Sequence, residues 1–283
     1  REKPLLFDYQ STTPCDKVVY EAMQPYWKDF WGNPSSRHSV QSTYASAAIK
    51  SAREELAKCL GANVDRIIFT SGATESNNLA LIGHARAKES LTGKRGHLIT
   101  LNTEHSSVLE PIRQLRREGF QVTEITPNSD GIIDLKLLEN TFRADTFLVS
   151  IMIANNEIGV IQPVYDIAKL CNKYSIKFHS DASQALGNIP IDTKEIDMIS
   201  FSSHKIYGPK GIGGLLLKKG VSIQPLCWGG NQELGLRPGT IPVPLAIGLS
   251  KAVSISYINM NQNIQRLTKL RNHGIDAEFK GWY

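Results

Sequence analysis

Paired cysteines are missing from this chain. Its four cysteines, Cys15, Cys59, Cys171 and Cys227, form no C-x-x-C pair and no disulfide-framework spacing. That excludes a disulfide-stapled secreted scaffold and points to a reducing, cytoplasmic setting. Long hydrophobic runs are missing as well. The longest apolar stretch, Phe147 to Ala154, is far too short to span a bilayer and suits a buried parallel strand, so no membrane segment is expected. A basic block is also lacking. The net charge of +5 comes from 32 Lys and Arg against 27 Asp and Glu, spread along the chain, which argues against nucleic acid and leaves an acidic protein or an anionic cofactor as partners. No internal repeat and no low-complexity linker interrupts the sequence. The first residue is Arg1, not Met, so a removed targeting segment and an organellar address stay open.

What is present is a globular composition, 41% hydrophobic over 283 residues, enough for one large or two ordinary domains. Apolar residues Ala45, Ala48, Ile49, Ala52, Leu56 and Leu60 make a 3.6-residue stripe that stops at Gly61, which predicts a helix over 44–60. Strands are expected at 66–71, 97–101, 121–125, 147–154, 176–179, 198–201 and 212–217. Helices are expected at 75–89, 107–118, 135–142, 164–174 and 244–270. Such alternation predicts an α/β layer fold around a mainly parallel sheet, with ligands at the strand ends.

Polar residues collect at those ends. Lys205 follows the apolar run Asp197 to Phe201, with hydroxyls and an imidazole before it and a glycine-rich turn after it. An ε-amine held there is suited to forming a Schiff base with a carbonyl, although a surface lysine is the ordinary alternative. Ser71-Gly-Ala-Thr-Glu75 is a strand-to-helix turn whose free amides and hydroxyls suit a phosphate, and equally suit plain capping. Asp181 could keep a pyridine nitrogen protonated or cap the next segment, and Gln184 could reach the same ring. His105 could stack on an aromatic cofactor or shuttle protons.

Eight segments then carry a resemblance: Asp8-Tyr-Gln-Ser-Thr-Thr-Pro14, Gly32-Asn-Pro-Ser-Ser36, Thr70-Ser-Gly-Ala-Thr-Glu-Ser-Asn77, Thr103-Glu-His105, Asn155-Asn-Glu-Ile-Gly159, Asp181-Ala-Ser-Gln184, Ser203-His-Lys-Ile-Tyr-Gly-Pro-Lys-Gly211 and Arg237-Pro-Gly-Thr240. In order and spacing, from about Leu6 to about Asn272, they look like the cysteine desulfurases. The resemblance implies the class V aminotransferase group and the fold-type-I large domain of pyridoxal-phosphate enzymes. It makes Lys205 the lysine that holds pyridoxal 5'-phosphate covalently and His105 the residue stacked on the ring. It pairs Asp181 with the ring nitrogen and sets Gln184 and Asn156 near the phenolic oxygen. Ala73, Thr74, Ser202 and His204 would hold the phosphate. Thr240 would reach the phosphate of a neighbouring subunit, implying a homodimer with shared sites.

The implied reaction converts L-cysteine to L-alanine and passes sulfur, through an enzyme persulfide, to a sulfur-acceptor or iron-sulfur scaffold protein. Lys205, helped by His105, would move the substrate α-proton. The family's persulfide cysteine lies on a loop well beyond Arg237-Pro-Gly-Thr240. The stretch from His273 to Tyr283 holds no cysteine and does not look like the family's continuation. Residues 1–250 are therefore expected to form the cofactor-binding large domain, and 251–283 a long helix and the start of a truncated C-terminal domain. Cys59 and Cys171 fall on helix patterns as core residues, and Cys227 is the one thiol to test as a substitute. The alternatives are a selenocysteine lyase or another class V lyase or aminotransferase, and a non-catalytic cofactor-binding dimer scaffold. A metal site built from Glu104, His105, His179 and Asp181 is disfavoured, because these residues lie on separate strand ends with no ligand pair at helical spacing. Gly208-Pro-Lys-Gly-Ile-Gly-Gly214 lacks the spacing of a nucleotide loop.

Overall fold

The computed structural model describes residues 8–36 and 38–280, with side chains through residue 273. Arg1, Leu6 and residues 281–283 lie outside the described residues, and for 274–280 only the backbone is described. In chain order the helices are α1 (Lys17–Met23), α2 (Pro25–Lys28), α3 (Val40–Leu60), α4 (Ala73–Thr92), α5 (Ser106–Arg117), α6 (Leu135–Thr141), α7 (Val164–Lys173) and α8 (Val243–Lys280). The strands are β1 (Ile67–Thr70), β2 (His97–Leu101), β3 (Gln121–Ile125), β4 (Thr146–Ser150), β5 (Lys177–Asp181), β6 (Met198–Ser202) and β7 (Gly213–Leu217).

They build one seven-stranded sheet in the order β1-β7-β6-β5-β4-β2-β3. β7 runs antiparallel to both its neighbours, β1 and β6, while the remaining pairings are parallel. Strands β1, β2, β4, β6 and β7 are buried at every position, so helices cover both faces, and this is why their sequences read as apolar runs without alternation. β3, at the edge, is the one strand largely open to solvent. The inserted antiparallel strand needs small residues. A Cβ on Gly214 would meet the Phe201 ring, and one on Gly213 would come within 2.7 Å of the Gly72 Cα.

The mainly parallel α/β sheet matches the sequence reading, with differences at element ends. The strand expected over 147–154 stops at Ser150, because the chain then turns through Met152 and Asn155 and is stitched back only by an Ala154–Ile161 bridge. Asp181, read as following a strand, is the last residue of β5 and pairs with Ser200. The helices α1 and α2 were not anticipated; Asp16 caps α1 by accepting the Val18 amide hydrogen, and Pro25 opens α2.

α8 is longer than the 244–270 expected, and the boundary placed at residue 250 falls inside it. Its Val243–His273 stretch is long and apolar enough by composition to cross a membrane, although polar residues interrupt it and no continuous apolar run marks it in the sequence. Half of that window is buried within the protein, where Ala246, Leu249, Ala252 and Val253 join the main core and the helix packs on α1 and α3. Burial of this kind belongs to a core helix.

Candidate active site

The parallel strands point their carboxyl ends to one side of the sheet, and a cleft of about 650 Å³ opens there. Lys205 reaches it from the connection between β6 and β7. Tyr207 in that turn is left-handed at φ 61°, and a Cβ on Gly208 would collide with the Ser203 hydroxyl. The turn is pinned from outside by the N-terminal segment. Thr13 donates to the His204 carbonyl through both its amide, at 2.9 Å, and its hydroxyl, at 2.8 Å, and that hydroxyl accepts the Tyr207 amide hydrogen at 2.7 Å. Lys205 Nζ donates to the Gln10 carbonyl at 2.6 Å, an oxygen that also accepts from Gln184 Nε2 at 3.1 Å. Burial pushes the Lys205 ammonium below its ordinary range, and the Asp181 and Asp8 carboxylates only partly offset it. The neutral, nucleophilic amine is thereby easier to reach.

At the end of β1 the chain turns through Gly72, at φ 155°, into α4. No side chain caps this helix, so its first amides face the cleft beside Ala73 and Thr74 with the positive end of the helix dipole. Ser202, at the end of β6, turns a buried hydroxyl with no protein partner, and His204 also lines the wall. Glu75 braces the turn by accepting the Ser71 amide hydrogen at 2.5 Å and pairing with Arg237 at 3.0 Å; burial would raise its carboxyl, but these bonds outweigh it and hold the group below its usual range.

Asp181 stands at the floor of the cleft. Its Oδ1 accepts the Ser183 amide hydrogen at 2.8 Å and its Oδ2 accepts from Asn77 Nδ2 at 2.7 Å. His105 caps α5 with its ring: Nδ1 accepts the Ser107 amide hydrogen at 3.1 Å, which puts the proton of a neutral ring on Nε2. Two buried neighbours of Asp181 are pushed toward their neutral forms. Burial, reinforced by Asp181, pushes Glu104 well above the carboxylate range, and burial pushes His179 down to about 4 against the pull of Asp181. His179 is tied on both sides, to the hydroxyls of Ser150 and Ser200, which is a structural use of its ring nitrogens. Among the described residues no group of His, Cys, Asp and Glu could hold a metal ion.

Of the residues singled out from the sequence, Lys205, His105, Asp181 and Gln184 line this one cleft, together with Ala73, Thr74, Asn156, Ser202 and His204. Thr240 is exposed and lies outside it. The sequence reading gave no role to Asn77, Ser107, Gln10 or Thr13. Gln10, Thr13 and Asn77 lie inside the resembling segments, but contacts 195, 194 and 104 residues away leave no local signal. Of the two cysteines expected in the core, Cys171 is buried, with its thiol pushed up to about 12, while Cys59 is half-buried at the core's margin; Cys15 and Cys227 are exposed.

The donor set fits pyridoxal phosphate. Helix-end amides and a free buried hydroxyl suit an anionic phosphate, a carboxylate suits a protonated ring nitrogen, and a desolvated amine suits a carbonyl. The comparisons agree. Residues 5–277 match the class-V aminotransferase family. A cysteine desulfurase IscS of Dictyoglomus turgidum is 46% identical over 97% of this chain and 69% of its own length. A human cysteine desulfurase is also 46% identical, over 95% of this chain but 59% of its own length. The chain thus spans roughly two thirds of the curated relatives it matches. Among solved structures, a NifS-like protein superposes with a TM-score of 0.93 at 40% identity, covering 97% of this chain and 75% of that one. A structure described as SspA in complex with cysteine gives a TM-score of 0.84 at 45% identity, over 88% and 72% of the two chains. This chain belongs to the cysteine desulfurases, pyridoxal-phosphate-dependent enzymes of the class-V aminotransferase family.

Proposed function

We propose that this chain forms the cofactor-binding and proton-transferring part of a cysteine desulfurase, which converts L-cysteine to L-alanine and delivers the sulfur to iron-sulfur cluster or thio-cofactor assembly. The observation that carries the reading is the meeting of Lys205, Asp181, His105 and the N-terminus of α4 in one cleft. When bound, pyridoxal phosphate supplies a carbonyl for covalent attachment and an aromatic ring that draws electrons from the substrate α-carbon.

The chain's own residues do the rest. The first amides of α4 and the Ser202 hydroxyl would hold the phosphate, and Asp181 would favour a proton on the ring nitrogen. Gln184 and Asn156 would sit by the phenolic oxygen, and His105 would cover the ring, with its Nε2 available as a proton carrier. Lys205, now bonded to the Gln10 carbonyl, would be the residue that holds the cofactor covalently, and its amine is the group placed to take the substrate α-proton; a positioned base of this kind contributes roughly 10²–10⁴-fold. Its lowered affinity for a proton serves both tasks.

Support for a homodimer comes from Thr240, which is exposed and does not line this cleft, and so suits contact with a second copy's phosphate site. The partners of the reading are L-cysteine and a sulfur-acceptor or iron-sulfur scaffold protein, in a reducing compartment compatible with four free thiols.

The deciding experiment incubates the purified chain with pyridoxal phosphate, reduces with borohydride and maps the adduct by mass spectrometry. The expected site is Lys205, with loss of the adduct in Lys205→Ala. Trapping on another residue, or undiminished trapping in Lys205→Ala, would sink the assignment.

A further inference from the structure

Asn77 lies in α4, fully buried, and its side chain spends both of its hydrogen-bond donors inside the site. One N–H goes to Asp181 Oδ2 at 2.7 Å, the other to Ser107 Oγ at 2.9 Å. Its own Oδ1 is buried without a partner. Exchanging the oxygen and nitrogen of this amide would turn lone pairs onto a carboxylate, so the donors must face Asp181 even though the carbonyl is left bare.

Ser107 continues the chain. Its hydroxyl lies 2.9 Å from Asn77 Nδ2 and 2.7 Å from His105 Nδ1. Having accepted from the amide, that hydroxyl directs its proton at the imidazole. His105 Nδ1 is then an acceptor twice over, from the Ser107 hydroxyl and the Ser107 amide. Asn77 is the branch point of these bonds: one N–H runs straight to Asp181, and the other runs through the Ser107 hydroxyl to His105 Nδ1.

We propose that Asn77 is a positioning residue that fixes the Asp181 carboxylate and the His105 ring as one unit. The assignment rests on the cofactor reading of the cleft given above. A neutral amide is the suitable link: it donates to an acid and a hydroxyl at once, and unlike a lysine or a second carboxylate it brings no charge of its own to compete for the proton that Asp181 must hold. The buried, bare Oδ1 is the cost of that commitment.

The test uses the full chain with 15N-labelled histidine, first without and then with pyridoxal phosphate. Without cofactor, the His105 Nδ1 resonance should be that of an unprotonated, hydrogen-bonded nitrogen. It should move toward the unbonded value in Asn77→Ala and further in Ser107→Ala, and return in Ser107→Thr. With cofactor, Asn77→Ala should weaken pyridoxal phosphate binding roughly 10- to 100-fold, the loss expected for a bond to a charged group. Ser107→Ala, which leaves the Asn77–Asp181 bond in place, should weaken it less. A residue that merely packed α4 would alter affinity without moving the His105 nitrogen.

A folded Asn77→Ala whose Nδ1 resonance matches the parent overturns the coupling. Should Asn77→Ala fail to fold, an unmoved Nδ1 in Ser107→Ala does the same. A parent chain that shows these shifts yet takes up no pyridoxal phosphate overturns the functional reading and leaves the coupling standing.

Discussion

Thr13 and Tyr207 stand 194 residues apart in sequence and are joined by a 2.7 Å hydrogen bond from the Tyr207 amide to the Thr13 hydroxyl. Through it the N-terminal segment holds the turn that presents Lys205. Because Tyr207 is a non-glycine residue at φ 61°, the turn stores strain that this bond helps to contain.

Replacing Thr13 by valine keeps the shape and removes the acceptor. Thr13→Val is expected to cost ~1–3 kcal/mol of stability, since it strands the Tyr207 amide, and to weaken cofactor uptake by loosening the Lys205 turn. Denaturant unfolding measures the first, and a pyridoxal phosphate titration the second. An unchanged affinity in a measurably destabilised variant would separate Thr13 from the site.

Glu104 gives a pH prediction whose sign is fixed. Burial raises its carboxyl well above its ordinary 4.5, so the folded chain keeps a proton that the unfolded chain gives up. Its contribution is whole below that unfolded value and is lost as pH rises through the folded one. Glu104→Gln keeps an oxygen for the Met152 amide, which now donates to Glu104 Oε1 at 2.8 Å, and it cannot ionise. The variant should gain in melting temperature over the parent as pH rises, with the two converging in acid. His179, pushed down to about 4 from 6.5, slopes the opposite way: its contribution is full above the unfolded value and is lost as pH falls. Because His179 is common to parent and variant, its slope cancels in the gap between them, and the opening of that gap above pH 4.5 reports Glu104. A melting-temperature gap that stays flat from acid to alkaline pH would contradict a raised, buried carboxyl.

Thiol chemistry should divide the cysteines by burial. Cys227 is exposed and Cys171 is buried, its thiol pushed up to about 12 first by burial and then by Asp197. Burial and the nearby Asp16 also raise Cys15, and burial and Glu55 raise Cys59. Alkylation of the native chain followed by peptide mapping should find Cys227 modified first and Cys171 last, because the thiolate is the reacting form. Early modification of Cys171 would mean that α7 opens more readily than its packing implies. Sulfide release from cysteine that survives in Cys227→Ser would remove Cys227 as a stand-in for the family's persulfide cysteine.

The same long-range contacts explain what could and could not be read from the sequence. β2 and β3 were legible residue for residue, because each is a short apolar or β-branched run closed by turn residues. The wall residues Lys205, Asp181 and His105 were legible because strand-end polar residues stand out against buried strands. β4 was overrun by four residues, since an apolar sequence continues to Ala154 while its pairing with β2 ends at Ser150. Asn77 was passed over because a buried asparagine on an α4 face full of Leu and Ala looks like an ordinary helix residue until Asp181 is beside it.

Arg53 and Glu233 supply the last prediction. Glu233 is buried and accepts from Arg53 on both carboxylate oxygens and from the Phe69 amide at 2.6 Å, while the guanidinium lies 4.5 Å over the Phe69 ring. Glu233 and Leu234 are consecutive left-handed residues, at φ 48° and 60°, in the segment that leads to Arg237 and Thr240. The ion pair thus holds a strained turn against β1, next to the Ser71–Gly72 turn. Glu233→Ala leaves a largely buried guanidinium without its partner and should cost ~3–5 kcal/mol. Leu234→Gly should do the reverse. Its side chain is exposed and packs on little, relief of a left-handed residue is worth ~1–2 kcal/mol, and the added freedom of glycine costs ~0.5–1 kcal/mol. Thermal unfolding of both variants checks the pair, and a Leu234→Gly chain that melts below the parent would show that the ion pair does not hold the turn against strain.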